Sequence, residues 1–379
     1  MNNFTFHNPT KIVFGCGSVA QLSKLIPEGT KTILLTYGGG SIVRLGIYDQ
    51  VIQQLERYEV IPFGGIEPNP DCHTLDKAIA IAKEKEVDLV LAVGGGSVID
   101  GSKVIAAGVF SSYTTSWEMV INGEFKGSIP LGTVLTVPAT GSEMNAGAVI
   151  SNRATREKYG YRAQHPLFSV LDPTYTYTLS QHQVACGIAD VWMHTLEQYL
   201  TYPGQSNLMD RMAEGVLSNV LDFAPLRLEK SDDYDVACEY MLSATIALNG
   251  FLGMGVEQDW VTHKIGHEVT ALTGATHGAS LMMILPSVLR VMRAEKEAKL
   301  LQMGIRVFRM TDPTAEEVII KIEDFIHSLG LAASLTEAGI SKEVAVEIAD
   351  RFEERGESWG EGQHATPERI REILLLASK

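Results

Sequence analysis

Leu89-Val-Leu-Ala-Val93 runs without a break into Gly94-Gly95-Gly96-Ser97, and Val98 to Val109 follows at helical spacing. A short continuous apolar run bounded by glycine reads as a strand buried on both faces. A buried strand that turns at once into a helix is the repeating unit of a parallel sheet. The same order recurs nearby. Lys31-Thr-Ile-Leu-Leu-Thr36 ends in Tyr37-Gly38-Gly39-Gly40-Ser41, and the stretch from Tyr48 to Arg57 reads as helix. Val60-Ile-Pro-Phe63 is a strand closed by Gly64-Gly65, Glu67-Pro68-Asn69-Pro70 is a rigid turn, and Asp71 to Glu86 is helical. Leu131 to Val137 gives one more strand before Pro138. The expected fold over residues 1–178 is a Rossmann-like α/β domain whose mostly parallel sheet carries helices on both faces.

Beyond about Thr178 the texture changes. Helix-period segments take over at 181–200, 208–224, 234–251, 257–272, 280–303, 314–329 and 341–354, and Arg369 to Leu376 reads as a closing helix. Residues 179–379 are expected to form an all-helical domain, with Asp172-Pro173 marking the approach to the boundary.

Composition narrows the function. The chain has 379 residues and a formal net charge of −15. That balance argues against nucleic-acid binding, which needs a basic surface. No apolar run is long enough to span a membrane, and the N-terminus lacks the basic-then-apolar pattern of a signal peptide. The cytosol is the expected compartment. Cys16, Cys72, Cys186 and Cys238 are scattered and read as reduced thiols, with Cys186 a buried, inert one.

The glycine turns suit phosphate. In Gly94-Gly95-Gly96-Ser97 the missing side chains let backbone approach a ligand, and N–H groups at a helix start favour an anion. Ser97 can cap the helix or donate to a phosphate oxygen, and Asp100 can hold a donor or complement the helix dipole. A tight turn with no ligand is the competing reading. At Gly38-Gly39-Gly40-Ser41 a dinucleotide-binding sheet that selects NAD would place an acidic residue against the ribose 2′-hydroxyl. No Asp or Glu lies between Lys31 and Tyr48. A 2′-phosphate would fit there, bonded by Ser41 and backbone N–H groups, so NADP(H) is the expected nucleotide. Arg44 is either a further phosphate partner or a solvated helix-face residue. Thr136-Val-Pro-Ala-Thr140-Gly-Ser142-Glu143 either lines the nicotinamide half or simply caps a helix.

Histidine is scarce, ten in all, yet His263, His267 and His277 fall close together. Upstream, Gly187-Ile-Ala-Asp190-Val-Trp-Met-His194 places Asp190 and His194 four apart, on one helix face. Imidazoles with one carboxylate suit zinc or iron(II). Asp190, His194, His263 and His277 are the candidate ligands. Spacing alone leaves open whether His263 or His267 binds the ion, the other lying beside the substrate. There is no His-Glu-x-x-His, which speaks against a metallopeptidase.

These features together resemble the iron-containing (group III) alcohol dehydrogenases, nearest the branch of butanol dehydrogenases and NADPH-dependent aldehyde reductases. The resemblance rests on the opening Phe6-His-Asn-Pro-Thr-Lys-Ile-Val-Phe-Gly15 and on Phe63 to Pro70. It continues through Ala92 to Lys103, Ala139 to Glu143, Gly187 to Asp190, and His263 to Gly278. It implies that Asp190, His194, His263 and His277 are the metal ligands and that His267 stands beside the substrate as the catalytic histidine. It implies cofactor contacts from Gly38, Gly39, Gly40, Ser41, Asn69, Gly94, Gly95, Gly96, Ser97, Asp100, Thr136, Thr140, Asn145, Lys158 and Thr178. It also implies a homodimer with the nucleotide in the cleft between domains. Leu179-Ser180 replaces the family's usual Leu-Pro, and residues 152–168 match it least.

The expected reaction is reversible hydride transfer between NADPH and a short aldehyde, giving the primary alcohol. Two other readings compete with it. A metal- and NAD-dependent lyase of the dehydroquinate synthase type would use a Glu with two His and many basic residues. A nucleotide-binding module without catalysis would have no use for the metal set.

Overall fold

The computed structural model describes residues 1–379. The chain separates into two compact units. One comprises His7–Leu179 and Ser231–Met241; the other comprises Met1–Phe6, Ser180–Lys230 and Leu242–Lys379.

The first unit is built on a six-stranded sheet. Its strands are β1 (Lys11–Phe14), β2 (Thr32–Tyr37), β3 (Glu59–Phe63), β4 (Leu89–Gly95), β5 (Leu131–Val137) and β8 (Phe168–Leu171). They lie in the order β1-β8-β5-β4-β2-β3, and every pairing is parallel. Alternation along the central strands feeds two separate cores. Leu34, Val90, Ala92, Leu131 and Leu135 point to one face, under the helices Cys72–Glu84 and Gly96–Gly108. Ile33, Leu35, Leu89, Leu91, Val93 and Val134 point to the other, under the 3₁₀ turn Ser18–Lys24 and the helix Ile47–Gln54. This is the doubly covered parallel sheet expected from the apolar runs.

Four strands lie outside the sequence reading. β1 and β8 pair with each other at the sheet's edge. β6 (Gly147–Asn152) and β7 (Glu157–Arg162) form a separate antiparallel hairpin. β7 alternates polar residues with Tyr159 and Tyr161, too weak a pattern to stand out in sequence.

The second unit is all helical. Its long central helix, Gln181–Tyr199, begins at Ser180, whose hydroxyl accepts from Gln183 N while the Gln183 side chain reaches back to Ser180 N. Ser180 thus starts the helix by capping, in place of proline. Every residue from Val184 to Tyr199 is buried. The expected helix 280–303 is instead three: His277–Met282, Leu285–Val291 and Arg293–Arg306. Pro286 causes the first break, since it has no N–H and its ring collides with the carbonyl four residues back, at Met282; the second falls at Met292, whose φ of −92° and ψ of 20° leave the helical region. The expected helix at 257–272 starts only at Val261, because Trp260 adopts a left-handed φ of 67°.

Two short segments leave the linear order. Residues 231–241 join the sheet unit, where Tyr240 Oη donates to Pro138 O at 2.5 Å and Met241 enters a sheet core. Residues 1–6 join the helical unit, where Asn2 N donates to Gly255 O and Phe6 packs edge-on against Phe251.

Candidate active site

The helical unit brings the predicted ligands together. Asp190 and His194 lie one turn apart on the 181–199 helix, buried to 2% and 3% exposure, at the floor of the site. His263 and His267 come from the helix Val261–Thr273, and His277 opens the helix His277–Met282. His194 Nε2 and His277 Nε2 each lie 3.7 Å from the same oxygen, Asp190 Oδ1. Asp190, His263 and His277 set one ligand atom apiece within 4.8 Å of one another. The His194 and His263 rings stack at 4.9 Å, and the His263 and His277 rings stand 5.4 Å apart. The His267 ring sits 5.3 Å from that of His277 and is partly exposed.

This set fits a divalent cation. A buried carboxylate surrounded by imidazoles is costly unless a cation balances it. His194 Nε2 and His277 Nε2, each 3.7 Å from Asp190 Oδ1, stand too far off for direct hydrogen bonds, a spacing that suits an ion held among them. Three nitrogens and one oxygen match zinc or iron(II).

Two features place His277. Thr276 and Gly274 bring the chain round after the 261–273 helix, Gly274 at a φ of 74°. Gly278 then lies flat against the 181–199 helix: a Cβ there would stand 2.0 Å from Cys186 O. His277 therefore reaches Asp190 only because its neighbour has no side chain. Cys186 itself is inert, since burial pushes its thiol up to about 11. The 261–273 helix is clamped on its far side by Glu268, which accepts from Arg351 and Arg355.

One buried residue escaped the sequence reading. Glu197, one turn beyond His194, accepts from the backbone N–H of His263 and Trp260, and its Oε1 stands 3.1 Å from His263 Nδ1. Burial pushes its carboxyl up, helped by the charge of Asp259 and opposed by that of Lys296. No spacing rule finds it, because its partners lie more than 60 residues away.

In the sheet unit, β2, β4 and β5 are parallel neighbours, so the turns that leave them share one carboxyl edge. The chain passes from β2 outward to β3 and from β4 the other way to β5, which makes β2 and β4 the switch point where such sheets take ligands. Gly38 to Ser41 leave β2; Gly39 and Ser41 are exposed. Gly94, Gly95 and Gly96 carry β4 into its helix. A Cβ on Gly96 would meet Thr140 Oγ1 at 2.4 Å, so close packing as well as ligand approach calls for glycine there.

Asn69, Ser97 and Lys158 meet. Asn69 N donates to Ser97 Oγ at 3.3 Å, and Lys158 Nζ donates to Asn69 Oδ1 at 2.9 Å. β7 thus delivers Lys158 from the stretch that matched the family least. Asp100 faces inward. Its oxygens accept from Ser142 Oγ and from Val149 N, and burial pushes its carboxyl up. Lys103 Nζ donates to Ser142 Oγ, Asn145 Oδ1 and Gly147 O, and burial pushes its amine down to about 8. Asn145 also donates to Thr140 O. Asp100 and Asn145 therefore fasten the glycine-turn helix to β6 and to the Thr140 turn. Thr136 is buried at the end of β5, and Thr178 is exposed.

Comparison with known proteins agrees with this architecture. The family profile "Iron-containing alcohol dehydrogenase" matches residues 9–173, and "Fe-containing alcohol dehydrogenase family, C-terminal" matches 184–377. The NADPH-dependent aldehyde reductase YqhD of Escherichia coli K12 is 44% identical over 94% of each chain. The probable NADH-dependent butanol dehydrogenase 1 of Bacillus subtilis is 40% identical over 99% of each. A crystal structure of E. coli YqhD superposes with a TM-score of 0.96 at 43% identity, covering 99% of both chains. No helix here is long and apolar enough to cross a membrane. Matched in both halves and alike in fold from end to end, the chain belongs to the iron-containing alcohol dehydrogenase family.

Proposed function

We propose that the protein, as a homodimer, transfers hydride reversibly between NADP(H) and short aldehydes or primary alcohols, using one iron(II) or zinc ion. The observation that carries this reading is the convergence of three imidazoles on Asp190 within a buried helical core. A bound divalent ion supplies Lewis-acid polarisation of the substrate oxygen. Asp190, His194, His263 and His277 would hold it.

The chain's other residues position and protonate. Backbone N–H groups of Gly95 to Ser97, at the start of a helix, receive the pyrophosphate. Asn69 and Lys158 present polar groups beside Ser97. In aldehyde reduction bound NADPH would supply a hydride to the carbonyl carbon, and the oxygen would take up one proton. His267, at the exposed side of the histidine group, or a water it orients, supplies that proton. The lyase reading has no comparable support: the ligand set is one Asp with three His, and the family matched is a dehydrogenase family.

The nucleotide preference rests on Gly39. Its exposed position carries no left-handed backbone, and a Cβ there would meet nothing within 4 Å. Neither strain nor packing requires glycine, so what the position preserves is open space without negative charge beside the ribose. Gly39→Asp should therefore fold normally while repelling a 2′-phosphate. Initial rates with butanal should favour NADPH over NADH in the parent. In the variant that preference should fall by about tenfold or more, the scale of a lost 1–2 kcal/mol charge interaction. Equal use of both nucleotides by the parent, with no change in the variant, would remove the NADP assignment.

A further inference from the structure

We infer that Glu197 is a positioning residue for the metal site, setting the ring orientation and tautomer of His263. The inference rests on the reading of Asp190, His194, His263 and His277 as ligands. Glu197 is 3% exposed, takes two backbone N–H donors from the start of one helix and stands against the His263 ring. Oε1 accepts from His263 N at 3.0 Å and lies 3.1 Å from His263 Nδ1; Oε2 accepts from Trp260 N at 2.5 Å. Its own carbonyl accepts from Asp259 N at 2.9 Å. A single side chain on the helix that bears Asp190 and His194 thus fixes where the helix bearing His263 begins.

The geometry has two consequences. A carboxylate on Nδ1 holds the proton there and leaves Nε2 as the coordinating nitrogen. The same carboxylate stabilises Trp260 in its left-handed conformation, which is strained for an aromatic residue. Trp260 in turn stands edge-on to the His263 ring at 5.0 Å.

The frame continues behind Glu197. Lys296, 2% exposed, donates to Asp259 Oδ2 at 2.7 Å and to Leu200 O at 2.8 Å, and also pairs with Glu361. Asp259 precedes Trp260, so the Trp260 turn is gripped from both sides. This cluster touches no proposed substrate or cofactor group.

Glu197→Gln tests the inference. The amide keeps the shape but puts an NH₂ group against either Trp260 N–H or His263. The full-length parent and variant would be stripped and titrated with Co(II) against a competing chelator. Their visible d–d spectra and circular dichroism would be recorded together. With helical content unchanged, the variant should bind Co(II) about 10–100-fold more weakly, the usual effect of losing such a partner, with a shifted d–d spectrum. Parent-like affinity and spectrum in the folded variant would overturn the role of Glu197. A parent that takes up no Co(II) would instead overturn the metal site itself. If the variant does not fold, ¹⁵N-histidine NMR of the zinc-loaded parent decides. A ring proton on His263 Nδ1 supports the inference, and one on Nε2 overturns it.

Discussion

Asp190→Asn should yield a folded protein that holds no stoichiometric metal and has lost roughly 10³-fold in kcat/KM for butanal, the scale of losing a preorganised electrostatic partner. Asn preserves volume but removes the only carboxylate among the candidate ligands. Both His194 Nε2 and His277 Nε2 lie 3.7 Å from Asp190 Oδ1, so this oxygen is the point about which the site is arranged. A neutral amide cannot balance a dication in a site where Asp190 is 2% exposed. Thermal unfolding separates this from simple misfolding. Chelation should lower the melting temperature of the parent, because a ligand that binds only the folded state stabilises it. The variant, with nothing to lose, should melt at the same temperature with or without chelator. It should also be no less stable than the stripped parent, which buries an unbalanced charge. Metal retained at one equivalent in the variant would remove Asp190 from the ligand set.

Gly278→Ala is the second large effect, and it arises from backbone. The added Cβ would lie 2.0 Å from Cys186 O, 2.9 Å from Cys186 C and 3.2 Å from its Cα. All three atoms belong to the 181–199 helix, so no side-chain rotation relieves the clash. The 277–282 segment must move outward, and His277 moves with it. Overpacking of this kind costs about 1–3 kcal/mol of stability. A ligand displaced by an ångström costs on the order of 10²-fold in rate. The paired control is Gly215→Ala, in the middle of the helix Asn207–Glu229, where a Cβ meets nothing within 4 Å. That change should leave activity intact and stabilise the helix by up to about 1 kcal/mol. Titrating metal into both variants is the check. Parent-like affinity in Gly278→Ala would show that the contact between the two helices yields more easily than backbone atoms should.

The parts legible in sequence are those governed by local chemistry. The apolar runs of β2, β4 and β5 are buried on both faces, and their length and glycine ends mark them as strands. Asp190 and His194 share a face because they share a helix. The parts not legible depend on distant partners. β1 pairs with β8, more than 150 residues away, and neither has length enough to stand out. Pro225 lies inside the 207–229 helix, where sequence rules end a helix before proline. Trp260 occupies a backbone conformation that an aromatic residue rarely adopts, so the delayed start of the 261–273 helix could not be read from its pattern. Glu197 reads as an ordinary helix-face carboxylate until the fold brings Trp260 and His263 onto it. Asp100 reads as holding a donor or complementing the helix dipole, and the donors that the fold brings to it, Ser142 and Val149, lie more than 40 residues away.

The most direct test of metal-assisted hydride transfer is a strip-and-refill experiment on the purified parent. NADPH oxidation with butanal would be followed by absorbance before chelation, after it, and after adding back iron(II) or zinc in measured amounts. Reduction carried out at the Asp190 site predicts loss of activity on stripping and recovery that saturates at one metal per chain. Full activity in metal-free protein would contradict it.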